Sequence, residues 1–214
     1  MDNIFFLDFE TTGFNPYYND PIEVAIKKYT CNESYNEFMI PKEININYKY
    51  IPPKITDLTG INDNMIIEHG KNKYAVIYNV IKFLERYSSN DDSPIYIVSH
   101  NGTTFDFLIL KRLIKRYNDK HNDNPLSHDI INRLQYIDSV LLARMYLREE
   151  SVKQFILCRK YNIKNFAEHR AIGDIQALEQ VYIRLCEQFS HFKGYNYNYY
   201  IDHPNEVIKE CMFL

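Results

Sequence analysis

The chain has 214 residues, 45% hydrophobic and 25% charged, with a net charge of -3 at pH 7. That length supports one domain with a substantial core, and the balance excludes a chain that coats nucleic acid by bulk positive charge, though not one with a metal-binding acidic centre. Cys31, Cys158, Cys186 and Cys211 form no CxxC pair, which argues for thiols in a reducing compartment over a zinc site or a disulfide framework.

Met1-Asp2-Asn3 lacks the basic region of a secretory signal, and no later apolar run reaches the length of a membrane span. A soluble intracellular protein is expected, in cytoplasm or nucleus, with no membrane partner. Ile4-Phe5-Phe6-Leu7 reads as a strand buried on both faces, which Gly13 and Pro16 end. Asp8 and Glu10 arrive while this strand is still apolar. Side chains alternate along a strand, so the two carboxylates share a face, roughly 7 Å apart at the backbone. Charges that close beside a core repel and lose hydration, and a cation between them turns that cost into a binding site.

Residues 21–29 and 35–40 read as two further strands, an antiparallel meander with the first. Pro52-Pro53 opens a short turn or helix that Gly60 can cap. Residues 74–87 carry apolar side chains at helical spacing, and Ile95-Tyr96-Ile97-Val98 is another buried strand. A helix over 105–116 ends in Lys111, Arg112, Lys115 and Arg116, and a polar loop over 118–129 is expected as a flexible insertion. A short strand over 134–137 leads to Asp138, placed to N-cap a helix over 140–147; helices over 151–161 and 171–189 follow. Residues 191–214, rich in Tyr and Asn, show no periodicity and receive no assignment. The architecture expected is α/β: a central mixed sheet, first antiparallel and then parallel, flanked by helices. The organisation expected is one domain over 1–190, with 191–214 an extension packed on it.

Two further acids stand where a core is expected. Asp106 opens a helix directly after the strand at 95–98, flanked by Phe105, Phe107 and Leu108. On its own it also fits an ordinary first-turn acid favoured by the helix dipole. Asp174, Leu178, Val181 and Leu185 fall on one helical stripe, so Asp174 faces the core and needs a partner or a metal. His169 lies five residues earlier. Five helical residues turn about 140°, so His169 acts with Asp174 only from a loop ahead of the helix.

Together these residues resemble the DEDDh group of 3′→5′ exonucleases, the DnaQ-like branch of the ribonuclease H-like fold. Its first motif matches Asp8, Glu10, Thr11, Thr12 and Gly13; its second, His100, Asn101 and Asp106; its third, His169 and Asp174. Residues 55–61 resemble the family's substrate-wedging turn, and residues 138–144 its Asp-Thr-Leu helix start. The likeness runs in order from residue 4 to about 189.

The resemblance implies hydrolysis of phosphodiester bonds from the 3′ end of single-stranded nucleic acid, DNA slightly favoured over RNA, with release of nucleoside 5′-monophosphates. It implies two Mg²⁺ or Mn²⁺ ions, consistent with all-oxygen ligands and no thiolate. Asp8, Glu10 and Asp174 would hold the first ion, and Asp8 with Asp106 the second. His169 would be the general base, a role imidazole side chains commonly fill. Thr11, Thr12, Leu58, Asn101 and Phe105 are weaker candidates for holding substrate. A protein partner or a homodimer stays open. The rival expectation is a non-catalytic nucleic-acid or partner-binding module on the same fold, because fold does not guarantee chemistry.

Overall fold

A computed structural model of the protein describes residues 3–41, 51–89, 91–147, 151–164 and 169–212. Among them the strands are β1 (Ile4–Thr11), β2 (Pro21–Lys28), β3 (Ser34–Ile40), the short β4 (Lys71–Asn72), β5 (Ile95–Ser99) and β6 (Leu134–Asp138). They form one sheet in the order β4-β3-β2-β1-β5-β6. β2 pairs antiparallel with β1 and β3, while β5 runs parallel to both β1 and β6. This is the expected mixed sheet, a meander followed by parallel strands.

The alternation along β1 divides the core. Phe5, Leu7 and Phe9 enter the layer packed by α3 (Lys73–Tyr87) and α4 (Asp106–Lys120). Ile4 and Phe6 face the opposite layer, packed by α6 (Ser139–Tyr146), α7 (Gln154–Lys160) and α8 (Ala171–Phe192). Asp8 and Glu10 continue the Ile4–Phe6 side, the side that α8 crosses. Because β1, β5 and β6 are parallel, their carboxyl ends open on one edge of the sheet. Asp8 and Glu10, then His100 and Asn101, then Asp138 emerge side by side there.

Three segments differ from the sequence expectation. α1 (Pro53–Thr59) ends at Gly60, whose φ of 71° makes it the expected left-handed cap, but α2 (Asp63–His69) follows with no periodic signal. The expected loop over 118–129 is shorter at both ends: α4 runs to Lys120 and α5 (His128–Arg133) starts within it, leaving 121–127 between them. Tertiary contacts hold α5. Ile130 is buried, and Arg133 donates to the carbonyls of Ser89 and Ser93 at 2.9 Å each. A helix of six residues is too short for a 3.6-residue repeat to show.

The third segment is the C-terminal stretch. α8 continues to Phe192, followed by α9 (Tyr199–Asp202) and α10 (Pro204–Cys211). Tyr200 stacks on Phe189 at 4.6 Å between ring centroids, and Tyr200, Ile201 and Val207 are buried in the same cluster as α8. Among the described residues no helix is long and apolar enough to cross a membrane.

Candidate active site

The site is built where β1 leaves the core. Carboxylate oxygens of Asp8, Glu10 and Asp174 all lie within 4.8 Å of one another, the acids being half-buried. Asp8 and Glu10 reach this point by strand alternation, and Asp174 by standing in the first turn of α8. Asp106 lines the same cleft but is not one of the three. It is 2% exposed, and its Oδ1 accepts the Phe9 N–H at 3.0 Å, which ties the start of α4 to the strand between the two β1 acids.

The electrostatics follow from crowding. Burial, and after it the charges of Asp106, Glu10 and Asp174, holds the Asp8 carboxyl well above the usual carboxylate range. Burial and the charges of Asp174, Glu23 and Asp106 push Glu10 up to about 9, with Arg170 pulling the other way. Burial also raises Asp106 to about 7, although its backbone hydrogen bond from Phe9 opposes the rise. A set of hard oxygen donors whose ionised form is disfavoured until positive charge arrives fits a divalent cation of the Mg²⁺ class.

His169 sits in the turn ahead of α8, where the helical geometry required it. Its φ of 61° is left-handed, unusual for a residue other than glycine, and its N–H donates to Asp174 Oδ2 at 3.1 Å. Its side chain lines the cleft with the acids. The turn is locked from the sheet. Glu23 on β2, opposite Glu10 in register, is 0% exposed and accepts from Arg170 Nη2 at 2.8 Å and Nε at 3.1 Å. Its second oxygen also accepts the Ala171 N–H at 3.1 Å, satisfying an amide at the start of α8. Glu23 and Arg170 were not singled out from the sequence. The signal available was a carboxylate on the core strand directly across from Glu10.

A second lock organises the other wall. Asp138 accepts the Val140 N–H at 2.9 Å as the expected cap of α6, and also the amides of Asn101 at 3.0 Å and Thr103 at 2.9 Å. Asn101 adopts a left-handed φ of 64°, and a Cβ on Gly102 would lie 2.5 Å from the Phe107 ring, so this turn tolerates little substitution. His100 bonds Ser139 Oγ through Nδ1 at 2.8 Å, and burial lowers it to about 4, leaving it neutral at pH 7.

The five residues expected to be catalytic, Asp8, Glu10, Asp106, His169 and Asp174, line one cleft of about 910 Å³. Thr11, Leu58, Asn101 and Phe105 line it as well. Thr12 does not. Its N–H and hydroxyl instead pair with the backbone of Asp20, closing the loop after β1.

The RNase_T family, described as Exonuclease, matches residues 5–182. The chain belongs to this family. It thereby joins the DnaQ-like 3′→5′ exonucleases that its motifs resemble. The PolC-type DNA polymerase III of Thermotoga maritima is 29% identical over 181 residues, covering 85% of this chain and 12% of the polymerase. Ribonuclease T of Buchnera aphidicola is 22% identical over 198 residues, covering 88% of this chain and 86% of that one. The chain thus spans about an eighth of the PolC-type relatives. Escherichia coli exonuclease I, solved with a dT13 oligonucleotide, superposes with a TM-score of 0.68 at 18% identity, over 90% of this chain and 43% of that one. That likeness is one of fold, the ribonuclease H-like fold expected.

Proposed function

We propose that the protein hydrolyses phosphodiester bonds stepwise from the 3′ end of single-stranded nucleic acid, releasing nucleoside 5′-monophosphates. The observation that carries this reading is the convergence of Asp8, Glu10 and Asp174 within 4.8 Å, in a cleft shared with Asp106 and His169. Asp8, Glu10 and Asp174 would hold one Mg²⁺ or Mn²⁺, and Asp8 with Asp106 a second; such ions supply a hydroxide-like water and neutralise charge building on the phosphate.

The protein's own groups do the rest. His169 takes the proton of the attacking water, and its backbone bond to Asp174 fixes it beside the acids. By the family resemblance Asp106, anchored by the Phe9 amide, would stand on the leaving-oxygen side, opposite the attacking water in an in-line displacement. Thr11, Leu58, Asn101 and Phe105 wall the space for the 3′-terminal nucleotide, with the Phe105 ring available for stacking, a contact every base can make. DNA is the favoured strand, because the PolC-type relatives are DNA polymerases. We further propose that residues 1–190 carry this activity, with 191–214 packed on the same domain.

The test is a time course on single strands labelled at either end, DNA beside RNA, with Mg²⁺, Mn²⁺ or EDTA. The expected result is a ladder shortening from the 3′ end that EDTA stops. Retained binding without cleavage under every condition would move the protein to the non-catalytic reading.

A further inference from the structure

The cleft that holds the carboxylates also holds cations. Arg144, on the exposed side of α6, and Lys153, just ahead of α7, both line it. Neither side chain has an acidic partner among the described residues. Some cations elsewhere are paired, Lys27 with Glu179, Lys193 with Glu210, Arg184 with Glu187 and Arg170 with Glu23, whereas Arg144 and Lys153 share the cleft with the acids without pairing to one among the described residues. Two cations on the wall of an acidic cleft, without an acidic partner among the described residues, are available to an anion that comes with the substrate.

The position of Arg144 is set by the machinery around Asp106. Asp138 caps α6 and, with its two oxygens, holds the amides of Asn101 and Thr103 in the turn leading into Asp106. One carboxylate therefore fixes both the helix bearing Arg144 and the turn bearing the leaving-side acid. In the hydrolytic reading His169 serves the attacking water and Asp106 the leaving oxygen. The strand therefore leaves the scissile phosphate on the Asp106 side of the cleft, which Asn101, Phe105 and Arg144 also line. The next negative charge on that path is the following phosphodiester.

We propose that Arg144, assisted by Lys153, binds the phosphodiester immediately 5′ of the scissile bond, so that the substrate is read as a strand with at least two internucleotide linkages. This rests on the hydrolytic reading above and specifies its substrate. A guanidinium suits the task because its planar fork pairs two oxygens of one phosphate. The contact reads backbone charge and carries no base preference.

Three substrates test this: a single-stranded DNA, the same strand with one methylphosphonate at the linkage 5′ of the terminal one, and thymidine 5′-monophosphate p-nitrophenyl ester, which has no upstream linkage. For Arg144→Ala the KM on the normal strand is expected to rise about tenfold, the effect of one lost charged hydrogen bond. Turnover of the ester should stay near the wild-type rate. The methylphosphonate should weaken the wild type and make no further difference to the variant, and Arg144→Lys should recover part of the affinity. By fluorescence anisotropy, the slope of log affinity on log salt should fall by about 0.7 in the variant. An equal loss on strand and ester, or an unchanged KM on the strand, would overturn the subsite. A wild type that cleaves neither strand nor ester with Mg²⁺ or Mn²⁺ would remove the hydrolytic reading itself, a result distinct from the other two.

Discussion

Asp8 stands where burial and four neighbouring carboxylates all oppose its charge. Folding therefore favours its protonated form, as it does for Asp106 and Glu10. The folded values of about 7 for Asp106 and about 9 for Glu10 lie above the ordinary 3.8 and 4.5 that the unfolded chain would show. Their contribution to stability is thus complete below about pH 4 and is lost as the pH climbs through the folded values. In EDTA, unfolding free energy from urea titrations should fall between pH 5 and pH 9. Mg²⁺ should raise the Tm more at pH 8 than at pH 5, since only the ionised cluster binds it. A profile that is flat or rises over that range would contradict the assigned burial of these acids.

Two substitutions separate the roles of single residues. Asp8→Asn removes one repelling charge, so hydrolysis should vanish while the Tm at pH 8 without metal holds or rises. His169→Ala should lower kcat by about a hundredfold or more with little change in strand affinity, the scale of a lost general base. Equal losses in kcat and in binding would argue that His169 holds substrate instead.

At the scale of elements, α8 is clamped to β2 at its first residue. The buried Glu23 holds Arg170 and the Ala171 amide, and the helix then carries Asp174 to the acids while the preceding turn presents His169. Gln154 on α7 reinforces the clamp by donating to the Asp174 carbonyl at 2.9 Å. Glu23→Ala leaves a guanidinium and a helix amide without their acceptor and should cost about 3 kcal/mol, the usual size for breaking a buried pair. Assayed well below its lowered Tm, the same variant should lose kcat more than affinity, because the displaced groups are those that move protons and hold metal. A variant that is destabilised yet fully active would make the clamp a purely structural device.

The whole molecule closes around α8. Its buried face meets β1, where Tyr182 packs on Phe6, and meets α9, where Phe189 stacks on Tyr200, while α10 packs on α6 and α9, so the C-terminal helices complete the layer behind the site. Ending the chain after Ser190 would uncover Phe189 and delete the buried side chains of Tyr200, Ile201 and Val207. At the usual yield per buried apolar side chain this should lower stability by about 5 kcal/mol, measurable by urea unfolding. Unchanged stability on truncation would show that the extension only rests on the domain.

What the sequence determined by itself was local and periodic. Strand alternation placed Asp8 and Glu10 on one face, the helical stripe turned Asp174 inward, and the 140° offset required His169 to precede its helix. Each follows from the backbone repeat of one element and needs no neighbour. Tertiary structure alone decided the rest. Glu23 read as one more polar residue of a strand until β2 paired with β1 and α8 arrived above it. Asp106, taken alone, read more readily as an ordinary first-turn helix acid until the Phe9 amide bonded it in the cleft. α5, α9 and α10 are too short to announce themselves by periodicity and exist because Ile130, Tyr200 and Val207 find a core to enter. A repeat in sequence encodes which way a side chain points, whereas the charge of a buried group and the survival of a single helical turn depend on what the rest of the chain places beside them.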